Sequence, residues 1–415
     1  MLFSKIRTKK FVLFFHRSIG PSHDSRIRKM MSSLSFYGVP SEGMLWTREN
    51  NFSKYYYQHD ASVFTLPLLL SSKASIRGSA LINALEIMQE TIVGFVYILY
   101  RRPRYVVVQN HRLAALLFLT VLLYRSFFKA RVVWDLRELP NGFLQGSFRI
   151  SIANYLFKKC SAVLVANQSR LDYMYKIYNH KCLKKAYVIS NLENDSFANL
   201  KIQTLPPKLE SFLSGRRYIY LQNPNSLDKG IMQSVSIISK YQDFCLVVSG
   251  NIPDSILRHV NATFGSDFIE THVFFTGLVS DLSLVSLIDH AYVSVILYKY
   301  MDKKNEYVRS NHRYAEPNRL YQSLSRGVPV LVGCNEGLSD PVFASETGVV
   351  VSDDGSIKEV IKGFEDLMSD YQSIKESCML NKGFFSWESQ EEVLIRAICG
   401  FSDCTVNDKS SRFGS

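Results

Sequence analysis

The sequence predicts an α/β protein built from two doubly wound parallel sheets. Three observations carry that prediction. Short runs of consecutive apolar residues recur, as in Tyr105-Val-Val-Val108 and Cys245-Leu-Val-Val248, and unbroken runs of this kind mark strands buried on both faces. Each run is followed by a stretch with helical spacing, and this alternation stops near residue 194 and restarts near 218. The chain has 415 residues, more than one hydrophobic core holds, so two domains are expected.

The first strand is read at 11–15. It is closed by His16-Arg17 and is too short for a secretory signal. After a polar loop, Asp24 stands as N-cap before Ile27, Met30, Met31 and Leu34, which share one helical face, and Gly38 ends that helix. Strands follow at 105–108, 131–134 and 162–165, with helices at 113–128 and from 169 onward, and 187–189 runs into Asn191. Residues 194–214 are polar, contain Pro206-Pro207 and have no sustained period, so they are read as the linker. The pattern resumes with a strand at 218–221 and a helix at 230–240. Strands at 245–248, 273–275, 293–297, 328–332 and 348–351 alternate with helices near 320 and at 360–368. The expected division is 1–195 for the first Rossmann-like domain and 196–387 for the second, with a last helix, within 388–415, packing back on the first.

Composition narrows the function. Lys and Arg number 49 against 37 Asp and Glu, a formal charge of +12, which favours acidic partners: nucleic acid, anionic lipid or a phosphate-bearing substrate. Nucleic acid is disfavoured, because the aromatic residues are spread through the strands and helices instead of sharing a basic face. The seven cysteines are scattered, with no Cys-x-x-Cys and no His pair at ligand spacing beside them. Neither a disulfide framework nor a zinc site is expected, and a reducing, cytoplasmic setting is. The apolar run 113–124 is short of the roughly 20 residues a bilayer span needs, so the chain is expected to be soluble or peripheral. Lys5, Arg7, Lys9, Lys10, Arg26, Lys29, Arg101, Arg102, Arg104, Arg125 and Lys129 all fall in the first domain. Beside the run 113–124 they read as a face for anionic lipid.

Open parallel sheets bind ligands beyond the carboxyl ends of their strands, so chemistry is sought in the loops there. The best local signal is Glu316-Pro317-Asn318-Arg319-Leu320-Tyr321-Gln322, continuing to Gly327-Val328-Pro329-Val330. Pro317 suits the first turn of a helix and Gly327 its end; the free N–H groups at such a start suit a diphosphate. Arg319 and Gln322 share a face. An ordinary αβ unit with good caps has the same appearance. Lys229, in Asp228-Lys229-Gly230, is either a phosphate cation or a solvated lysine at a helix start. His111 follows a strand end as a base or as a cap. Arg137 and Glu138, directly past an apolar strand, either face a cleft or form a surface ion pair. Arg17, Ser18, Gly20 and Asp24 belong to a loop that could line an acceptor site, with no glycine-rich phosphate signature; Asp24 reads foremost as a helix cap.

In their order these segments resemble GT-B-fold glycosyltransferases, especially bacterial members of glycosyltransferase family 4. The residues carrying the resemblance are Asp24-Ser25-Arg26-Ile27 with Gly38-Val39, Trp134-Asp135-Leu136-Arg137-Glu138, Ser161 to Asn167, Val188-Ile189-Ser190-Asn191, Asp228-Lys229-Gly230, Val248-Ser249-Gly250, Val273-Phe274-Phe275-Thr276-Gly277 and the Pro317 segment. The resemblance implies two domains facing a central cleft, with a nucleotide-sugar donor in the second and a saccharide acceptor, often lipid-linked, in the first. It further implies retention of configuration without metal or cofactor, and a place in bacterial surface polysaccharide synthesis: O-antigen, capsule or exopolysaccharide. Lys229 would neutralise the donor diphosphate, and Gln322 takes the place of a ribose-binding Glu. Asn223, Gly250, Pro317, Asn318 and Arg319 fall in the donor loops. His111, Arg137 and Glu138 are the catalytic candidates, and Arg17, Ser18, Gly20 and Asp24 the acceptor-side ones. Two features depart from the family. Tyr314 stands where a first Glu is usual, and the loop before Lys229 offers Gln222, Asn223 and Asn225 where a second basic residue is usual, leaving Arg319 or Arg313 to replace it. The missing glutamates keep open a degenerate scaffold or binding subunit, and the fold also admits a nucleotide-sugar epimerase.

Overall fold

The apolar runs do become strands of parallel sheets. The computed structural model describes residues 8–17, 25–47, 53–58, 61–68, 80–110, 112–139, 146–201, 204–300, 304–353 and 355–400. The chain divides into two units, Met1–Ser190 with Gln390–Ser415, and Asn191–Ser389. The passage from first to second thus falls between Ser190 and Asn191, a little before the expected 195.

The first unit holds strands β1 (Lys9–Arg17), β2 (Ser41–Thr47), β3 (Ser53–Gln58), β4 (Ala61–Pro67), β5 (Pro103–Gln109), β6 (Arg131–Leu136), β7 (Ala162–Val165) and β8 (Ala186–Val188). They form one sheet in the order β3-β4-β2-β1-β5-β6-β7-β8. Every pairing is parallel except β3 with β4. Helix α1 (Ser25–Phe36) buries Ile27, Met30, Met31 and Leu34. It closes where Gly38 takes φ +66 and Val39 N–H reaches back 2.8 Å to Leu34 O, a turn that a side chain would strain. A second helix, α2 (Ala80–Arg101), precedes β5. By length and composition it is long and apolar enough to cross a membrane.

Several expectations need correction here. Arg26 and Lys29 do not face lipid; both are buried, and Arg26 is paired with Asp135. The run 113–124 is chiefly core: Leu116, Leu117, Val121 and Tyr124 are buried, and a π-helical turn, Thr120–Tyr124, interrupts the helix. The last helix, Glu391–Cys399, does return to the first unit, against α1 and β5 to β8, where Ser33 Oγ donates to Glu391 at 2.7 Å.

The second unit holds β9 (Arg217–Gln222), β10 (Phe244–Ser249), β11 (Val273–Gly277), β12 (Val293–Ile296), β13 (Val330–Val332) and β14 (Gly348–Val350), in the order β11-β10-β9-β12-β13-β14, all parallel. Alternate side chains serve opposite faces. Ile219, Leu221, Leu246 and Val248 pack with Ile231, Val235, Ile238 and Phe364, while Tyr218, Tyr220, Cys245 and Val247 pack with Leu209, Leu284 and Ile288. That is why the strands read as continuous apolar runs. Residues 194–214 are not a linker. The helices Asp195–Ala198 and Pro207–Leu213 bury Phe197, Leu209 and Leu213 in this core. Pro207 starts a helix, as a first-turn proline can, instead of interrupting one. In both sheets the chain builds one side, then crosses to the other, so the switch points lie between β1 and β5 and between β9 and β12.

Candidate functional site

At the second switch point a cavity of about 230 Å³ is lined by Gln222, Asn223, Lys229, Tyr298, Pro317, Asn318, Arg319 and Gln322. Gln222 ends β9, and the next residue turns sharply: Asn223 has φ +52 and donates its N–H to Ser249 O at 2.7 Å. Gly250, at φ +106, packs behind that turn, where a Cβ would stand 3.0 Å from Asn223 Cα. Gly250 therefore shapes the cavity wall without lining it. Lys229 ends a 3-10 turn, Leu227–Lys229, and Gly230 at φ +85 lets the following helix, Ile231–Lys240, begin against Leu297. That helix and Asn318–Ser325 both start with no side-chain cap. Pro317 and Asn318 line the cavity, so the positive end of the second helix's dipole lies there.

Two cations meet at one aromatic ring. Lys229 Nζ lies 5.0 Å from the centroid of Tyr298 and the Arg319 guanidinium 4.9 Å from it. Arg319 is buried; Nη1 donates to Gln222 O, Nη2 donates to Leu297 O at 3.4 Å, and Nε is buried without an acceptor. Gln322 Oε1 accepts from Gln222 Nε2 at 3.2 Å. No carboxylate lines this cavity. One guanidinium, one ammonium, amide groups and the positive end of a helix make an environment for a doubly charged phosphate ester or diphosphate.

Arg313 takes no part in it. Its guanidinium is clamped on Glu336, with Nε 2.6 and 2.8 Å from the two carboxylate oxygens, and it does not line the cavity. Of the two arginines considered as the second cation, Arg319 is the one that stands beside Lys229. Tyr298 was not foreseen, although its place just beyond β12 was the available signal. Glu316 is buried and committed: it accepts from Tyr321 Oη at 2.5 Å and from Asn191 N–H at 3.2 Å.

On the first unit, His111, Ser18, Gly20 and Asp24 lie outside the described residues. Arg17 ends β1 beside two buried carboxylates of α2, donating to Glu90 Oε1 at 3.1 Å and Glu86 Oε2 at 3.0 Å. Arg112, past β5, donates to the same Glu86 oxygen at 2.6 Å. This group of four sits at the first sheet's switch point, and sequence reading missed both glutamates. Burial holds the Glu90 carboxyl above the usual carboxylate range, although Arg17 and Arg112 pull the other way. Arg137 Nε approaches Asp135 Oδ2 at 3.6 Å, while Glu138 is exposed. Asp135, fully buried, accepts from Arg26 Nη2 at 3.0 Å and Gln109 Nε2 at 2.9 Å, so it ties α1, β5 and β6 together. Among the described residues no group of three or more His, Cys, Asp or Glu converges as a metal site.

The sequence matches no protein-family model and no curated protein. Among solved structures the chain is similar to sucrose-phosphate synthase from Thermosynechococcus elongatus, at a TM-score of 0.71 and 12% identity over 93% of this chain and 97% of that one. It is also similar to trehalose-6-phosphate synthase from E. coli bound with UDP-2-fluoro glucose, with a TM-score of 0.66, 11% identity, and 92% and 98% coverage. The catalytic domain of starch synthase IV from Arabidopsis thaliana bound to ADP and acarbose gives 0.66, 13% identity, and 94% and 99% coverage. At these identities the likeness shows the fold: two Rossmann-like parallel-sheet domains of the GT-B type. It does not single out family 4.

Proposed function

We propose that this chain is a glycosyltransferase that takes a sugar from a nucleoside-diphosphate donor held in the cavity of the second unit. The observation carrying this reading is the convergence of Lys229 and Arg319 on Tyr298, beside two uncapped helix starts, at a sheet's switch point. When the bond between sugar and diphosphate breaks, negative charge grows on the leaving oxygen. Cations fixed in place before the reaction stabilise that charge without reorganising. Arg319 fills the role of the second basic residue absent from the loop before Lys229. Gln322, whose amide oxygen is held by Gln222, accepts from a ribose hydroxyl, more weakly than a carboxylate would. Support also comes from the fold's other bearers, two of which are described with UDP-2-fluoro glucose and with ADP.

The acceptor in this reading is a saccharide, lipid-linked, engaged by the first unit, with Arg17, Ser18, Gly20 and Asp24 on its side and His111, Arg137 and Glu138 as candidates for the reacting hydroxyl. Configuration is retained by attack on the donor's leaving-group face, without a metal. The setting is cytoplasmic, on the anionic inner face of a membrane, in surface polysaccharide synthesis. A second reading, a binding subunit that no longer turns over, is favoured by one observation: Gln322 and Tyr314 occupy the places of both glutamates.

Thermal shift against UDP, GDP, ADP, dTDP and CMP, in EDTA, tests the donor site. A ligand present at 100 times its Kd stabilises the fold by about 2.7 kcal/mol. One diphosphate should raise the melting temperature of the wild type and not of Lys229→Ala. If none does at millimolar concentration with the protein folded, the transferase reading fails. Stabilisation by a diphosphate with no turnover on any saccharide acceptor would favour the binding subunit.

A further inference from the structure

Helix α2 is built inside out. Its buried positions, Glu86, Glu90, Gly94 and Ile98, recur every fourth residue and include both of its carboxylates. Its exposed positions are apolar: Leu81 is 69% exposed, Met88 52%, Ile92 55%, Val96 59% and Tyr100 74%. These fall on one stripe at helical spacing, running nearly the length of a helix of 22 residues. The neighbouring helical stretch packs along α2 through residues 114–124, where Leu122 and Leu123 are also exposed. Large apolar side chains exposed along one helix face mark an interaction site.

The charges around it identify the partner. Between residues 80 and 130 the only acidic side chains are Glu86 and Glu90, and both are turned inward. Arg102, Arg104, Arg125 and Lys129 follow at the end of the stripe where α2 gives way to β5, and there Tyr124 Oη donates to Pro103 O at 2.8 Å, tying the second helical stretch to the start of that strand. An apolar stripe with cations at its end, and no exposed acid within residues 80–130, complements the surface of an anionic bilayer. Exposed Tyr100, at the stripe's basic end, has the amphipathic ring that settles among headgroups.

The helix has the length to span a bilayer, but its packing opposes it. Glu86 and Glu90 are paired with Arg17 and Arg112, Tyr97 Oη donates to Glu42 at 2.7 Å, and Arg101 pairs with Glu42 at 2.7 Å. Gly94 brings the helix so close that a Cβ would stand 2.8 Å from a Leu116 methyl and 3.1 Å from the Trp46 ring. Spanning would break all of these contacts and carry two carboxylates into hydrocarbon.

We infer that α2 is a membrane-docking element: it lies in the plane of an anionic bilayer, with Leu81 to Tyr100 sunk among the lipids and Glu86 and Glu90 facing the sheet. This names the surface behind the membrane contact in the proposed function and rests on that reading only for its purpose. Because the same two glutamates hold Arg17 at the end of β1, docking fixes the first sheet's switch point at a set height above the lipid.

The test is co-sedimentation of the full chain with vesicles of phosphatidylcholine alone or mixed with phosphatidylglycerol. Wild type should pellet with the mixed vesicles and not with the neutral ones. Met88→Ser/Ile92→Ser/Val96→Ser, at exposed positions, should bind at least about tenfold more weakly. Arg102→Gln/Lys129→Gln should lose about fivefold per cation removed. Neither variant should change the diphosphate thermal shift, which keeps failure of docking separate from failure of the donor site. The inference is overturned if wild type stays in solution with anionic vesicles at low salt, or if the triple variant binds as wild type does. It is equally overturned if the stripe drives a concentration-dependent dimer, abolished by the triple variant, without vesicle binding.

Discussion

Replacing Arg319 by Met separates the two things its guanidinium does. Met keeps most of the apolar stem, so the change is confined to the charged head. On the structural side, Gln222 O loses its donor, at about 1–3 kcal/mol for a buried carbonyl left unpaired. The bond to Leu297 O, at 3.4 Å, contributes little. Against this, a buried cation whose Nε has no acceptor is removed, which relieves a desolvation cost of similar size. The net loss of stability should stay under about 2 kcal/mol, at about 2–4 °C per kcal/mol for a unit of this size. On the binding side, a charge-assisted hydrogen bond to a diphosphate contributes about 1.5–3 kcal/mol, or about ten- to hundredfold in affinity. Titration calorimetry with the nucleoside diphosphate that stabilises the wild type measures the second effect, and thermal unfolding without ligand the first. Lys229→Met and the double variant complete a cycle. Both cations lie about the same distance from Tyr298 (4.9 and 5.0 Å), so their losses should be coupled, by about 0.5–3 kcal/mol. If Arg319→Met lowers the melting temperature while leaving the diphosphate Kd unchanged, Arg319 is a tie between Gln222 and Leu297, and the two-cation account of the cavity is wrong.

Two further perturbations test the geometry around the two switch points. Glu90 is held above its ordinary pKa, foremost by burial, so its ionisation costs stability: the contribution is full below the unfolded value, near 4.5, and is lost as pH rises through the raised folded value. Glu90→Gln should therefore match or exceed wild type at neutral pH, with the difference shrinking as pH falls toward 4.5; a pH-independent loss would mean that the pairing with Arg17 and Arg112 outweighs burial. Gly250→Ala places a Cβ against Asn223 Cα at a φ that side chains avoid, and should cost about 1–3 kcal/mol and weaken diphosphate binding together. An unchanged melting temperature would show that the turn at Asn223 does not depend on Gly250.

What could be read in the sequence follows the range over which each signal acts. The strands of the second unit were legible because both faces of each strand are apolar, so Cys245-Leu-Val-Val248 needs no partner to be recognised. The cavity was legible in outline for the same reason. Lys229 and Asn318 stand past a strand end or at a helix start, where the fold itself puts ligands, and Gln322 follows one turn into the same helix as Asn318. What failed needed distant residues. The sequence left Arg319 and Arg313 both open as the second cation, and what separates them is Tyr298, a residue contributed by another loop. Residues 194–214 looked like a linker because their apolar residues are few, yet Phe197, Leu209 and Leu213 fill the space under β9 and β10. Strand β3, Ser53–Gln58, is polar enough to be silent.

Helix α2 was passed over for a different reason, and that reason bears on its role. A water-facing helix announces itself by an apolar stripe turned inward and charges turned outward. In α2 the relation is reversed, because Arg17 and Arg112, at the carboxyl ends of the central strands β1 and β5, supply partners that make it tolerable to bury Glu86 and Glu90. The pattern contains both carboxylates and a stripe, but only the positions of Arg17 and Arg112, brought in from β1 and from beyond β5, decide which face turns inward. The outward stripe is then left exposed, and the basic end follows from the chain entering β5 through Arg101-Arg102-Pro103-Arg104. A helix oriented by its charges toward the protein and by its apolar residues away from it has the polarity of an element lying on lipid.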